Sequence, residues 1–151
     1  MVTKFKPFTR DELEKLIKEA LDPMCLYSED AFMLLLGTCA QESHFGIYRR
    51  QIRGPARGIM QMEPPTFAWL KGKYRNRYKE LHNVQFKDLE FNDIASIQYA
   101  RLRYLVVPKP LPKKDDMEGI WSYYKQYYNS YLGSATRKEF MMNWKKYVEE
   151  G

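Results

Sequence analysis

Cysteine and histidine are scarce in this chain of 151 residues, with two of each. Two cysteines, Cys25 and Cys39, are too few for a disulfide scaffold; a bridge between them is one arrangement, and two free, partly buried thiols is the one expected. His44 and His82 stand without a cysteine or carboxylate cluster at ligand spacing, so no metal site is expected, and no cofactor. Long apolar runs are also missing. The greasiest stretch, around residues 31–40, is too short to span a bilayer, which gives no transmembrane anchor. The start, "MVTKFKPFTRDELEKL", lacks the apolar core of a signal peptide, and the expectation is a chain made soluble in the cytoplasm. No internal repeat, low-complexity tract or linker divides it. A single domain over residues 1–151 is expected, and a monomer is the default for its oligomeric state.

Positive charge and aromatic rings are abundant instead. Lys and Arg outnumber Asp and Glu by 25 to 19, a net charge of +6, which suits polyanions: nucleic acid, anionic lipid headgroups or acidic wall polymers. Tyr, Phe and Trp make up 15% of the residues, and flat rings serve sugars and bases alike. Neither feature chooses a partner. A nucleic-acid-binding domain would need a zinc motif, an aromatic RNA-binding strand pattern or a helix-turn-helix, and none is legible, so nucleic acid is not the expected partner.

Capping signals divide the chain into helices. Thr9 and Glu12 make a capping box that opens a helix through about Leu21, before Asp22-Pro23. Ser28 caps a second helix, Ala31 to about Gln41, which is apolar nearly all round and therefore belongs in the core. Residues 46–65 are rich in Gly and Pro and read as a loop or a small β-hairpin. Thr66 to Tyr74, Asn92 to Val107, Asp115 or Asp116 to Tyr128, and Thr136 to Val148 read as further helices. The fold class expected is mainly α, with a loop-rich segment after the second helix.

That helix runs into Glu42, whose face it shares with Leu35, Thr38 and Cys39. Apolar neighbours disfavour the carboxylate, and so does the partial negative charge of a helix C-terminus. A free glutamic acid titrates near 4.3; one placed here is expected higher, where it can act as a general acid at neutral pH. The plainer alternative is a solvated glutamate at a helix end.

"QESHFG" followed by "ARGIMQMEPPTF" resembles the soluble lytic transglycosylase family of the lysozyme-like superfamily. The family shows a Glu-Ser pair after an apolar helix, then an aromatic, then a Gly-Gln-Pro-Thr motif. Glu42-Ser43, Phe45, Gly58, Gln61, Pro64 and Thr66 take those places, over about residues 30 to 70. A third motif, Ala-Tyr-Asn-Ala-Gly, is met only by Tyr128 and Asn129, because Ser130 and Tyr131 replace the small pair. A fourth is met by Asp93-Ile94, while Ile97, Ala100 and Arg101 depart from it. The compact, basic form resembles versions encoded by bacteriophages, which would reach the wall as a virion component or lysis protein.

The resemblance implies a lysozyme-like helical domain acting on peptidoglycan glycan strands. The bond is the β-1,4 link from N-acetylmuramic acid to N-acetylglucosamine, with Glu42 as acid and then base and a 1,6-anhydromuramoyl product. Ser43 and Gln61 are neutral groups suited to holding an acetamide or orienting Glu42. Phe45, Gly58, Met60, Tyr128 and Asn129 join them as substrate-binding candidates, with Met60 open to a plain core reading and Tyr128 able to bring its hydroxyl to Glu42. Gln98 and Arg101 fall inside the apolar stripe of their helix, either lining the cleft or forming a buried ion pair. Glu63 is the one carboxylate near the motif, a candidate base for a hydrolase or a plain loop residue. His44 could tune Glu42 or sit solvated. A hydrolytic muramidase on the same fold and a catalytically dead wall-binding module are the rival readings.

Overall fold

The computed structural model describes residues 3–129 and 133–151. It is mainly α-helical: α1 (Arg10–Leu21), α2 (Glu29–Ser43), α3 (Pro64–Tyr74), α4 (Asp93–Leu105), α5 (Met117–Tyr124) and α6 (Arg137–Asn143). Short 3-10 turns follow α1 (Asp22–Met24) and fill the α3–α4 connection (Lys79–Leu81 and Phe86–Glu90). Wider π-helical turns extend α5 through Lys125–Asn129 and α6 through Trp144–Glu149.

The caps stand where the sequence places them. Thr9 Oγ1 accepts from the Glu12 amide, and the Glu12 carboxylate accepts from the Thr9 amide. Ser28, Asn92, Asp116 and Thr136 each accept from the backbone three residues on. Pro64 and Pro65 lie inside the first turn of α3 rather than before it, which their missing N–H groups permit. The segment after α2 is a loop and not a hairpin. Its pairings among the described residues are isolated antiparallel bridges, Lys4 with Tyr48, Arg50 with Arg57 and Arg57 with Met62.

Two hydrophobic clusters share one wall. The larger surrounds α2, whose Leu34, Leu35, Leu36 and Cys39 are at most 1% exposed, and it gathers α1, α5, α6 and Tyr147. The smaller lies between α3 and the 3-10 turns, around Phe67, Leu70, Leu81 and Leu89. Helix α4 is the wall: Ile97, Ala100 and Tyr104 face the first cluster, while Ala95, Tyr99 and Leu102 face the second. A helix buried on both faces has no solvated stripe, which is why residues 95–102 are all buried.

The loop after α2 is tied down by a cation. Arg49 Nη1 donates to Asp93 Oδ1 at 2.6 Å and to the Glu90 carbonyl at 3.0 Å, and its guanidinium lies within 5.7 Å of the Phe5, Phe8 and Phe91 rings. A buried cation is tolerated when its charge and donors are answered in this way.

Two glycines in helices have opposite surroundings. A methyl group at Gly37 would lie 2.9 Å from both Phe140 Cζ and Trp144 Cζ3, whereas one at Gly72 would meet nothing within 4 Å. Gly72→Ala is expected to stabilise the protein by about 0.5–1 kcal/mol through helix propensity. At Gly37 the same gain is outweighed by overpacking, which costs about 1–3 kcal/mol. Urea denaturation of the two variants should therefore move the midpoint in opposite directions.

Candidate active site

Glu42 is the penultimate residue of α2, one turn beyond Thr38 and Cys39, both fully buried. Its helix does not continue because His44 and Phe45 turn left-handed, at φ 53° and 59°. Such backbone is uncommon for residues with a Cβ and persists only where the surroundings hold it. The hold is visible: Ser43 Oγ accepts from the Gly46 amide at 2.9 Å and donates to the Cys39 carbonyl at 3.3 Å, while Phe45 is buried against Tyr147.

Beyond this turn lies a cleft of about 890 Å³, with Gln41, Glu42 and His44 on one wall. Tyr48, Gln51, Gln61 and Glu63 come from the loop between α2 and α3, and Tyr124, Tyr128 and Asn129 from α5 and its π turn. Gln61 is also left-handed (φ 49°), and its Nε2 donates to the Gly58 carbonyl at 3.0 Å. Gly58 itself has φ 87°, and its amide donates to the Arg49 carbonyl at 2.7 Å. A Cβ there would collide with the Leu89 carbonyl oxygen and the Ser96 hydroxyl, so only glycine closes this loop onto α4.

The carboxyl of Glu42 accepts a hydrogen bond from the Tyr124 hydroxyl. Tyr124 is fully buried, with ring centroids 6.0 Å from Tyr128 and 5.3 Å from Phe140. Burial is the largest influence on Glu42 and pushes its pKa up to about 7. The Tyr124 hydrogen bond and the Arg103 guanidinium act the other way, and Glu63 adds a smaller upward push by like charge. Arg103 forms no ion pair with Glu42: Nη1 donates to Thr66 Oγ1 and Nη2 to the Tyr128 carbonyl. Burial raises Tyr124 far above the usual tyrosine range, so its hydroxyl stays a donor at any working pH. His44 lies between the rings of Tyr147 and Tyr48, both at 5.5 Å, and is pulled down by burial and by Lys146, which favours neutral imidazole.

Of the residues singled out from the sequence, Glu42, Gln61, Tyr128 and Asn129 line this cleft. Ser43, Phe45, Gly58 and Met60 do not; they are buried beneath it and shape the loop. Tyr128 spends its hydroxyl on the Met60 carbonyl at 2.7 Å, and Tyr124, one turn earlier, takes the place beside Glu42 expected of it. Gln98 and Arg101 are corrected more fully, being neither cleft residues nor an ion pair. Gln98 Nε2 donates to the Ala20 carbonyl at 3.1 Å and Arg101 Nε to the Leu26 carbonyl at 3.2 Å, and neither lines the cleft. Their stripe is buried because α4 has two packed faces, which a single periodicity does not reveal. Ser130 and Tyr131 lie outside the described residues.

Sequence reasoning missed Tyr124, Arg103, Gln51 and the Gln41–Asn143 pair, whose side chains bond at 2.8 Å. The spacing of Tyr124 and Tyr128, four residues on one helical face, was the available signal for the first. Cys25 is exposed and Cys39 buried, both as free thiols, with burial pushing Cys39 up to about 12. Among the described residues no three potential metal ligands gather, and no helix is long and apolar enough to cross a membrane.

Glu42→Gln gives the site a pH signature in stability. The unfolded carboxyl ionises near 4.5 and the folded one near 7, so between those values only the folded state keeps its proton. Wild-type stability therefore falls relative to the variant as pH rises through this window, and the difference is complete above pH 7. The gap should grow by about 1–3 kcal/mol, allowing for water in the cleft, and be flat below pH 4.5. Denaturation of both proteins at pH 4, 6 and 8 measures it. Comparison with family models, with curated proteins and with solved structures found no match to this chain.

Proposed function

We propose that the protein is a peptidoglycan lytic transglycosylase of lysozyme-like architecture, with Glu42 carrying both proton transfers. The observation that carries this reading is a carboxyl group on a cleft wall whose pKa burial pushes up to about 7. Such a group holds its proton near neutrality and can release it to a glycosidic oxygen. The order of Glu42-Ser43, Gly58, Gln61 and Thr66 along the chain supports the same reading, because Glu42 and Gln61 meet in one cleft across 19 residues of sequence.

In the first step Glu42 protonates the oxygen leaving C1 of the muramoyl unit. The C1–O bond breaks, and the unit's own 2-acetamido carbonyl oxygen bonds to the electron-poor carbon. In the second step the Glu42 carboxylate takes the proton of the 6-hydroxyl. That oxygen displaces the acetamide from C1, closing the 1,6-anhydro ring and returning Glu42 to its starting form. Tyr124 acts on the second step, since its hydroxyl donates to the carboxylate and steadies the base between the two transfers. Tyr128 and Asn129 line the cleft, and Gln61 brings a neutral amide to it without adding a cation that would lower Glu42. The chemistry needs no metal and no organic cofactor.

Glu63 favours a second reading. It lies in the same cleft and its charge is felt by Glu42, so it could activate water in a muramidase. The products separate the two: an anhydro product is one water lighter than a reducing-end product. Glu63→Gln separates them again. A transglycosylase keeps turnover within a few-fold, while a hydrolase with Glu63 as base loses it by a factor of about 100 or more.

On purified sacculi in a gel, wild type should clear the wall and Glu42→Gln should not, with both folded by circular dichroism. Clearing by the variant overturns the assignment. Tyr124→Phe removes a hydrogen bond that lowers Glu42, so the folded pKa should rise above 7 and the alkaline limb of the pH–rate profile should move to higher pH. The maximal rate is expected to fall by about tenfold, because the base loses its donor.

A further inference from the structure

The net charge of the protein is not spread evenly. Residues 71–82 hold Lys71, Lys73, Arg75, Arg77 and Lys79 against Glu80 alone, which is four of the six net positive charges of the whole chain. Lys73, Arg75, Arg77 and Lys79 are exposed, and none forms an ion pair among the described residues. Lys71 is different, since its ammonium is tied to the Val84 carbonyl.

The turn that presents these groups is built rather than loose. Tyr74 and Tyr78 are 6% exposed and anchor it in the smaller core cluster. The amides of Arg77 and Tyr78 both bond to the Tyr74 carbonyl at 2.9 Å, and His82 Nε2 donates to the Arg75 carbonyl at 2.6 Å. Anchored on both sides, Arg75, Arg77 and Lys79 line a concavity of about 500 Å³ with Pro23, Asn76 and His82; Glu80 is its one acidic residue. Arg77 lies 5.1 Å from the centre of the Tyr78 ring, and Lys73 lies 5.6 Å from that of Trp69, itself 55% exposed.

The patch has a fixed relation to the cleft. Helix α3 begins after Glu63, in the cleft, and ends at Tyr74, in the patch. Its eleven residues span roughly 16 Å, so cleft and patch sit at opposite ends of one rigid rod. That distance is about twice the screening length at physiological salt, near 8 Å, so the patch acts by contact and leaves the chemistry at Glu42 alone.

We propose that this patch anchors the enzyme to the phosphodiester polymer of the cell wall, a linear chain of phosphates joined by short polyols. The inference rests on the transglycosylase reading for the choice of the wall. Two guanidinium groups, Arg75 and Arg77, offer forked donors that match phosphate oxygens, and a concave basic surface accepts a chain rather than one ion. Single-stranded nucleic acid fits less well, because stacking needs exposed rings and Tyr74 and Tyr78 are buried, leaving Trp69 alone; duplex DNA is the competitor that the test includes. Anchoring at one end of α3 would hold the glycan strand near the other end.

The test is cosedimentation with purified walls carrying poly(glycerol phosphate), and with the same walls after acid removal of that polymer. It uses Glu42→Gln so that the walls stay intact, with and without Arg75→Gln, Arg77→Gln and Lys79→Gln together. The three positions are exposed, and circular dichroism checks that the variant folds. Retention on intact walls is expected to be about tenfold tighter than on extracted walls, to weaken with added salt, and to drop to the extracted-wall level in the triple variant. On soluble phosphate-free glycan, the triple variant in the wild-type background should turn over as wild type does. Equal retention on both walls, or full retention by the triple variant, overturns the proposal. So does competition by duplex DNA that matches free poly(glycerol phosphate) at equal phosphate, since the patch would then read any polyanion. Because binding is read without turnover, a protein that fails to cleave glycan would sink the catalytic reading while leaving the patch measured.

Discussion

The desolvation of one carboxyl group governs this structure. Glu42 stands next to the end of a helix that is dry in the turns before it: Leu34, Leu35, Leu36 and Cys39 are all packed into protein. Ionising a group at the rim of such a core means placing charge where water reaches it from the cleft alone. Phe140 and Trp144 close directly over Gly37, and the same aromatic layer continues to Tyr124, whose hydroxyl meets Glu42. The packing that makes the core and the packing that raises the carboxyl are therefore one set of contacts.

What surrounds that carboxyl is polar but almost entirely neutral. Thr38 bonds to Tyr104 at 2.7 Å and Tyr128 to the Met60 carbonyl at 2.7 Å, so these buried hydroxyls answer one another or the backbone. Neutral partners satisfy buried polar groups without stabilising an anion strongly. Of the nearby cations, Arg103 is engaged by Thr66 and the Tyr128 carbonyl, and Arg50, which also lines the cleft, by Glu90; among the described residues neither forms an ion pair with Glu42. A direct pair would keep Glu42 ionised and rule out the acid role proposed for it. The strong ion pair of the region, Arg49 with Asp93, fixes the loop to α4 instead.

How far the sequence could be read depended on whether each signal was local. Caps are local: Thr9, Ser28 and Asn92 each bond within three residues, so the helix starts were legible. Glu42 was legible because its apolar neighbours precede it on the same helix. The lysozyme-like likeness stays a proposal, while the mainly helical class stands. The buried stripe of α4 was not legible, because Gln98 and Arg101 look like cleft residues until α1 and the segment after it are seen to hold them through the Ala20 and Leu26 carbonyls. The π turn at Lys125–Asn129 was not legible either, since its residues are ordinary helix formers and only tertiary packing widens the turn. Ser43 and Gly58 have a structural role that the sequence did not reveal: each is needed by the backbone around the cleft.

Under the proposed mechanism Glu42 gives a proton and then takes one, so both of its forms must be accessible at the same pH. With an ordinary pKa near 4.3, protonating Glu42 at pH 7 would add roughly 4 kcal/mol to the first transfer. A pKa far above 7 would remove that cost and place a similar one on the second transfer, where the anion must form. About 7 is the value at which neither step bears it. Two elements set this balance from opposite sides, α2 by burying the group and α5 by donating to it through Tyr124. Because Tyr124 also belongs to the core cluster around α2, a change in how α5 packs would move the hydrogen bond and the burial of Glu42 together.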